Sequence, residues 1–121
     1  MEQLITEILK REGVATIVTE GSDGAHVTAT WNSYIEYNSD TFIFPAGGLN
    51  KTEKNIKSGS KLIMLIGSKE VRGKNSMGTG FRLQGNAEFV YSGAMLEKLK
   101  NNFPWARAAV LFHIENSEQL L

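Results

Sequence analysis

The stretch KLIMLIGSKEVRGKNSMGTGFRLQGNAEFVY, residues 61–91, decides the fold. Lys61 to Ser68 has an unbroken apolar centre, Leu62-Ile63-Met64-Leu65-Ile66, which predicts a strand buried on both faces. Val71 to Gly80 carries Gly73, Gly78 and Gly80 and reads as a loop that could carry function. Phe81 to Tyr91 alternates imperfectly around Gly85, the signature of a bulge that bends a barrel strand. Two strands of this kind imply a curved antiparallel sheet.

Working outward toward the N-terminus, Ser58-Gly59 ends a short helix that opens at Asn50, read as its N-cap with Glu53 as the reciprocal partner. The loop Ala46 to Leu49 precedes it, and Thr41 to Pro45 is a strand that the proline terminates. Asn38-Ser39-Asp40 is a turn, His26 to Tyr37 and Val14 to Thr19 form a hairpin about Gly21-Ser22-Asp23-Gly24, and Glu2 to Arg11 is a helix closed by a left-handed Gly13. Toward the C-terminus, Ser92 caps a helix over Ala94 to Asn102, Ala106 to Ile114 is a last strand, and Asn116 to Leu121 is a polar tail. About six strands with brief helices between them must close or be covered, and a small closed barrel is the economical solution. The fold class is mainly β (α+β), in one domain spanning 1–121.

Composition narrows the function. The chain has 121 residues, 41% apolar and 21% charged, with 13 basic and 13 acidic side chains and no cysteine. A chain of this length buries about two thirds of its surface in one core. The charge balance disfavours a nucleic-acid or membrane-surface binder, so any anion must be held locally. Missing cysteine excludes disulfides and thiolate metal sites and suggests a cytoplasmic location. No apolar run is long enough for a membrane helix, and Met1-Glu2 does not begin a signal peptide.

Three segments carry chemistry-bearing residues. Pro45-Ala46-Gly47-Gly48-Leu49-Asn50-Lys51-Thr52 lacks the glycines of a phosphate loop at positions 45 and 50, yet joins a flexible approach, a helix start, a lysine and a hydroxyl. It reads either as an anion site or as an ordinary helix start with a solvated lysine. Gly78-Thr79-Gly80-Phe81-Arg82-Leu83 has leucine where a dinucleotide fingerprint needs its third glycine, and a strand follows rather than a helix. It is a glycine-rich turn, or a place where a ligand backbone approaches. Thr30-Trp31-Asn32-Ser33-Tyr34, with Trp105-Ala106-Arg107, places polar and aromatic groups on both faces of a strand, as core, dimer contact or ligand wall. His26, His113, Asp23 and Asp40 are too few and too scattered for a hydrolytic triad, and no metal-ligand spacing is present.

Together, Gly13-Val14, Thr30 to Tyr34, Pro45 to Glu53, Gly78 to Phe81, Trp105 to Ala109 and the terminal Ser117-Glu118-Gln119-x-Leu121 resemble the FMN-binding split-barrel superfamily, which includes pyridoxamine phosphate oxidase and the flavin reductases. The resemblance runs nearly end to end. It implies a homodimer of six-stranded antiparallel split β-barrels, each binding FMN non-covalently near the subunit interface. By the same resemblance Lys51 and Thr52 hold the phosphate with help from Asn50, and the backbone at Pro45, Ala46, Gly47 and Gly48 meets the polar edge of the flavin. Thr30, Trp31 and Asn32 line the ring beside Tyr34, Trp105 and Leu121 cover it, Leu121 from the other subunit, and Gly78 and Thr79 are further candidates. The expected function is a small electron-transfer flavoprotein. The alternatives are a flavin reductase or small-molecule oxidase using NAD(P)H at the same site, and a flavin-free dimeric barrel that binds a partner protein.

Overall fold

A computed structural model describes all 121 residues. The elements are α1 (Glu2–Leu9), β1 (Val14–Gly21), β2 (Gly24–Trp31), a 3-10 turn (Asn32–Tyr34), β3 (Glu36–Asn38), β4 (Thr41–Ala46), α2 (Asn50–Lys57), β5 (Leu62–Arg72), β6 (Met77–Val90), α3 (Ala94–Asn102) and β7 (Ala108–Gln119). One sheet of seven strands runs β2-β1-β5-β6-β7-β4-β3, and every pairing in it is antiparallel. Its two edge strands, β2 and β3, follow one another in sequence, so the covalent chain through the 3-10 turn joins the two edges of the sheet.

That turn is where the count of six strands fails. Asn32 is fully buried, its amide nitrogen donates to the carbonyl of Arg11 at 3.0 Å and of Ile8 at 3.5 Å, and its backbone N–H donates to Gly13. The side chain thereby caps the C-terminal carbonyls of α1, which ends at Leu9 with Lys10 still right-handed rather than at a left-handed Gly13. Pulling Asn32 inward breaks the expected strand from His26 to Tyr37 and interrupts its alternation. Ser33 anchors the same corner through a 2.6 Å bond from its hydroxyl to Glu12.

The core is the concave side of the sheet. Ile17, Phe42, Phe44, Leu62, Met64, Ile66, Phe81, Leu83, Val110 and Phe112 are all at most 1% exposed, and α1 adds Ile5 and Ile8 to the same cluster. Burying an aliphatic or aromatic side chain contributes about 1.5–3 kcal/mol, so this set supplies most of the driving force. β5 is buried on one face only: Leu65, expected inside, is 45% exposed on the outer face. A smaller cluster of Leu96, Ala106 and Ala109 seats α3 on the outside of β7.

Other boundaries move for identifiable reasons. β5 and β6 continue into the expected loop, leaving only 73–76 as the hairpin connection, closed by a 2.8 Å bond from Gly73 N–H to Ser76. β4 carries on through Pro45 to Ala46, beyond the three residues that β3 covers. The polar tail is strand: β7 reaches Gln119 and pairs with Phe81 to Gln84 of β6. Gly85 lies at the expected irregularity, where β6 is paired with Asn116 at Gln84 and with Ile114 at Gly85, so the extra residue is Glu115 on β7. The helix starts are capped differently than expected. Gly93, at φ 104°, precedes α3 in place of a Ser92 cap, and Leu49 occupies the N-cap of α2, with no side-chain cap at either end.

Candidate functional site

A cavity of about 510 Å³ opens between the start of β1, the end of β2, and the loop that follows β4. Its wall contains Val14, Thr28, Ala29, Thr30, Trp31, Tyr34, Pro45, Gly47, Gly48, Leu49 and Trp105. Trp31 and Trp105 are about half exposed, at 45% and 50%, as ring walls open to a ligand are. Trp31 is presented by its register with Val14 across the β1–β2 ladder. Trp105 is held by Phe103 at 5.6 Å and Tyr34 at 5.8 Å between ring centroids, and Tyr34 and Phe103 are 4.8 Å apart.

Gly47 lets that ring lie close, since any larger residue would make the half-exposed ring shift. A Cβ at position 47 would stand 2.9 Å from Cε3 of Trp105, closer than atoms tolerate. Leu49 adopts the left-handed region, φ 58° and ψ 32°, a conformation that disfavours a branched side chain and is kept only where the surroundings enforce it. The enforcing contacts come from Arg107, the residue just before β7. Arg107 donates through Nε and Nη2 to the carbonyls of Gly47 and Gly48 at 2.7–3.1 Å, and through Nη2 to Glu53 Oε1 at 3.0 Å. Glu53 also accepts from the Tyr91 hydroxyl and pairs with Lys57, and the Tyr91 hydroxyl, then Arg107, hold its carboxyl below the usual carboxylate range. A carboxylate expected to close a capping box thus serves as the anchor for a loop.

α2 continues directly from the cavity wall. Its first intrahelical bond runs from Glu53 N–H to the Leu49 carbonyl, which leaves the preceding amides as the usual unpaired donors of a helix start. Thr52 in its first turn is 1% exposed and its hydroxyl has no hydrogen-bond partner. Lys51 extends to Asp23 in the β1–β2 turn at 2.5 Å, a contact that holds the Asp23 carboxyl below its ordinary range.

Of the residues singled out in the sequence, the cavity wall unites Thr30, Trp31, Tyr34, Pro45, Gly47, Gly48 and Trp105. Asn50, Lys51 and Thr52 sit together at the α2 start. Asn32 is turned into the α1 cap, and Ala46 is fully buried in the core with its carbonyl accepting from Arg107 N–H. Gly78, Thr79 and Leu121 lie on a second hollow, of about 490 Å³, with Leu65, Leu120 and Lys69, and Val14 belongs to both hollows. Val14, Leu49 and Arg107 fall inside segments singled out in the sequence but have no role assigned there, and Thr28 and Ala29 are not singled out. The alternation of Thr28 with Thr30 was a readable signal for one of them, whereas nothing in a sequence announces a left-handed leucine.

The sheet with two edges joined through a turn, the helix packed into its core and the cavity beside that seam together define a split barrel. The chain belongs to the pyridoxamine 5'-phosphate oxidase family, whose model matches residues 1–118. It is 41% identical over 116 residues to the FMN-binding protein of Nitratidesulfovibrio vulgaris (strain DSM 19637 / Miyazaki F), covering 95% of this chain and 94% of that protein. Among solved structures it resembles the HupZ protein of Group A Streptococcus, with a TM-score of 0.80 at 20% identity over 99% of this chain and 94% of that one. An FMN-binding protein from Syntrophomonas wolfei gives a TM-score of 0.76 at 15% identity, over 99% and 88%. At those identities the two structures speak for the fold alone.

Proposed function

We infer that this protein binds FMN non-covalently and works as a small electron carrier. The observation that carries the reading is the pairing of two exposed tryptophans around a polar, glycine-walled cavity with a helix start that holds a buried, unpartnered hydroxyl. Those donors suit the parts of FMN: ring walls for the flavin, backbone for its polar edge, and the start of α2 with Lys51 and Thr52 for the phosphate. The 41% identity to a protein named for FMN binding supports the same choice.

Bound FMN supplies reversible one- and two-electron transfer. The chain's own contribution is to hold the ring, exclude water from its faces with Trp31 and Trp105, and set how readily charge develops on it. A carrier is favoured over a substrate oxidase by the wall itself, whose tryptophans, threonines and loop backbone suit holding a flavin ring. The second hollow, with its exposed Leu65, Leu120 and Leu121 beside Val14, fits a homodimer in which each copy's C-terminus reaches its partner's cavity. The reading also places the protein in the cytoplasm; no helix of the structure is long and apolar enough to cross a membrane.

Anaerobic addition of NADH or NADPH to the FMN-loaded protein separates the carrier from a reductase. The carrier reading predicts negligible steady nicotinamide oxidation, with reduction only by dithionite or a protein donor. Sustained turnover in the presence of added FMN would make the reductase reading correct.

A further inference from the structure

We propose that Arg107 is a positioning residue for the flavin ring: it turns the Gly47–Gly48–Leu49 backbone so that the Gly48 and Leu49 amides face the cavity as hydrogen-bond donors. The inference rests on the flavin reading above and names a residue that reading does not use.

In a trans peptide the carbonyl and the following N–H point in opposite directions. Arg107 gathers the carbonyls of both Gly47 and Gly48, at 3.1 Å and 2.7–3.1 Å, so the N–H groups of Gly48 and Leu49 are directed away from the guanidinium. Neither amide donates to any acceptor in the chain. All three residues of the loop form cavity wall, and Arg107 does not. Two free donors on the wall of a cavity are what the acceptor-rich pyrimidine edge of a flavin needs, and unpaired amides of this kind are costly unless water or a ligand meets them.

The clamp is built for arginine. The guanidinium lies 5.8 Å from the centre of the Phe89 ring and meets Glu53 at 3.0 Å, so its plane is fixed from two sides while the fork reaches two successive carbonyls. A lysine at this position would keep the charge but lose the planar fork and the second carbonyl. The left-handed Leu49 follows directly from the restraint on Gly48, which accounts for the presence of a strained, non-glycine residue at this point.

The test is Arg107→Lys, with Glu53→Gln as a second variant that leaves the arginine in place, titrated with FMN and with riboflavin, which lacks the phosphate. Arg107→Lys is expected to weaken both ligands by a similar factor of about ten, because the lost donors face the ring. Glu53→Gln is expected to weaken riboflavin in the same direction by less, and the reduction potential of FMN bound to Arg107→Lys is expected to be more negative than in the parent, since fewer N–H groups then stabilise charge on the reduced ring. Loss confined to FMN would overturn the proposal, because it would place the effect at the phosphate end through α2. Unchanged affinity and potential for both ligands would overturn it as well. If the parent protein itself took up neither ligand, the flavin reading and this assignment would fall together, whereas uptake by the parent with no effect of the variants rejects the assignment alone.

Discussion

Gly85→Ala is expected to lower the melting temperature by about 10 °C, because an added methyl there meets the closest neighbour found at any glycine of the chain. A Cβ at position 85 would stand 1.9 Å from the His113 carbonyl oxygen and 3.0 Å from the Glu115 backbone nitrogen. Both are backbone atoms of β7 at the point where Glu115 is the extra residue, so no side chain can swing aside to make room. Relief requires β6 and β7 to separate there, and these strands carry Phe81, Leu83, Val110 and Phe112 into the core. Inserting a group into packed structure costs about 1–3 kcal/mol and more where the backbone must move. Thermal unfolding followed by circular dichroism checks this, and a melting temperature within about 2 °C of the parent would mean that the strands do not approach as described.

Lys51→Ala combined with Thr52→Ala is expected to weaken FMN at least about ten-fold, the loss of one charge-assisted contact worth about 1.5–3 kcal/mol together with a hydroxyl. Riboflavin should bind the double variant nearly as well as the parent does. The apo protein should keep its stability, for two reasons read from the structure. The Thr52 hydroxyl has no partner, so its removal leaves no new unsatisfied group, and the Lys51–Asp23 pair is exposed, which makes its own contribution small. The depressed Asp23 carboxyl acts in the direction set by that pair: its contribution is present above the ordinary aspartate range and disappears as pH falls through the lowered value. Isothermal titration of both ligands reads the result. Equal loss of FMN and riboflavin would move the phosphate away from the α2 start.

The architecture was largely readable from residue pattern because its punctuation is local. Gly24, Gly59 and Gly93 all have positive φ and mark turns or helix ends, and Gly85 marks the bulge. What escaped is tertiary. The break after Trp31 exists because Asn32 serves α1, some twenty residues earlier in the chain, and local alternation carries no trace of that demand. The outward face of β5 was misread because Leu65 is apolar without being buried in a single copy. The same division holds for the site. Trp31, Tyr34, Gly47, Gly48 and Trp105, which the family resemblance picked out and residue type alone left open between core, dimer contact and ligand wall, share one cavity wall, while Arg107 and Leu49 acquire their contacts only when the start of β7 is brought against the loop after β4.

The two tryptophans of the sequence, Trp31 and Trp105, both stand on the cavity wall, which allows one titration to test the central claim. Addition of FMN to the apo protein, with tryptophan emission and the visible flavin bands recorded together, should quench the emission and shift the bands in step, saturating at one FMN per chain. Tryptophan emission that stays unquenched while FMN is added in excess, with flavin bands identical to those of the free cofactor, would contradict the account.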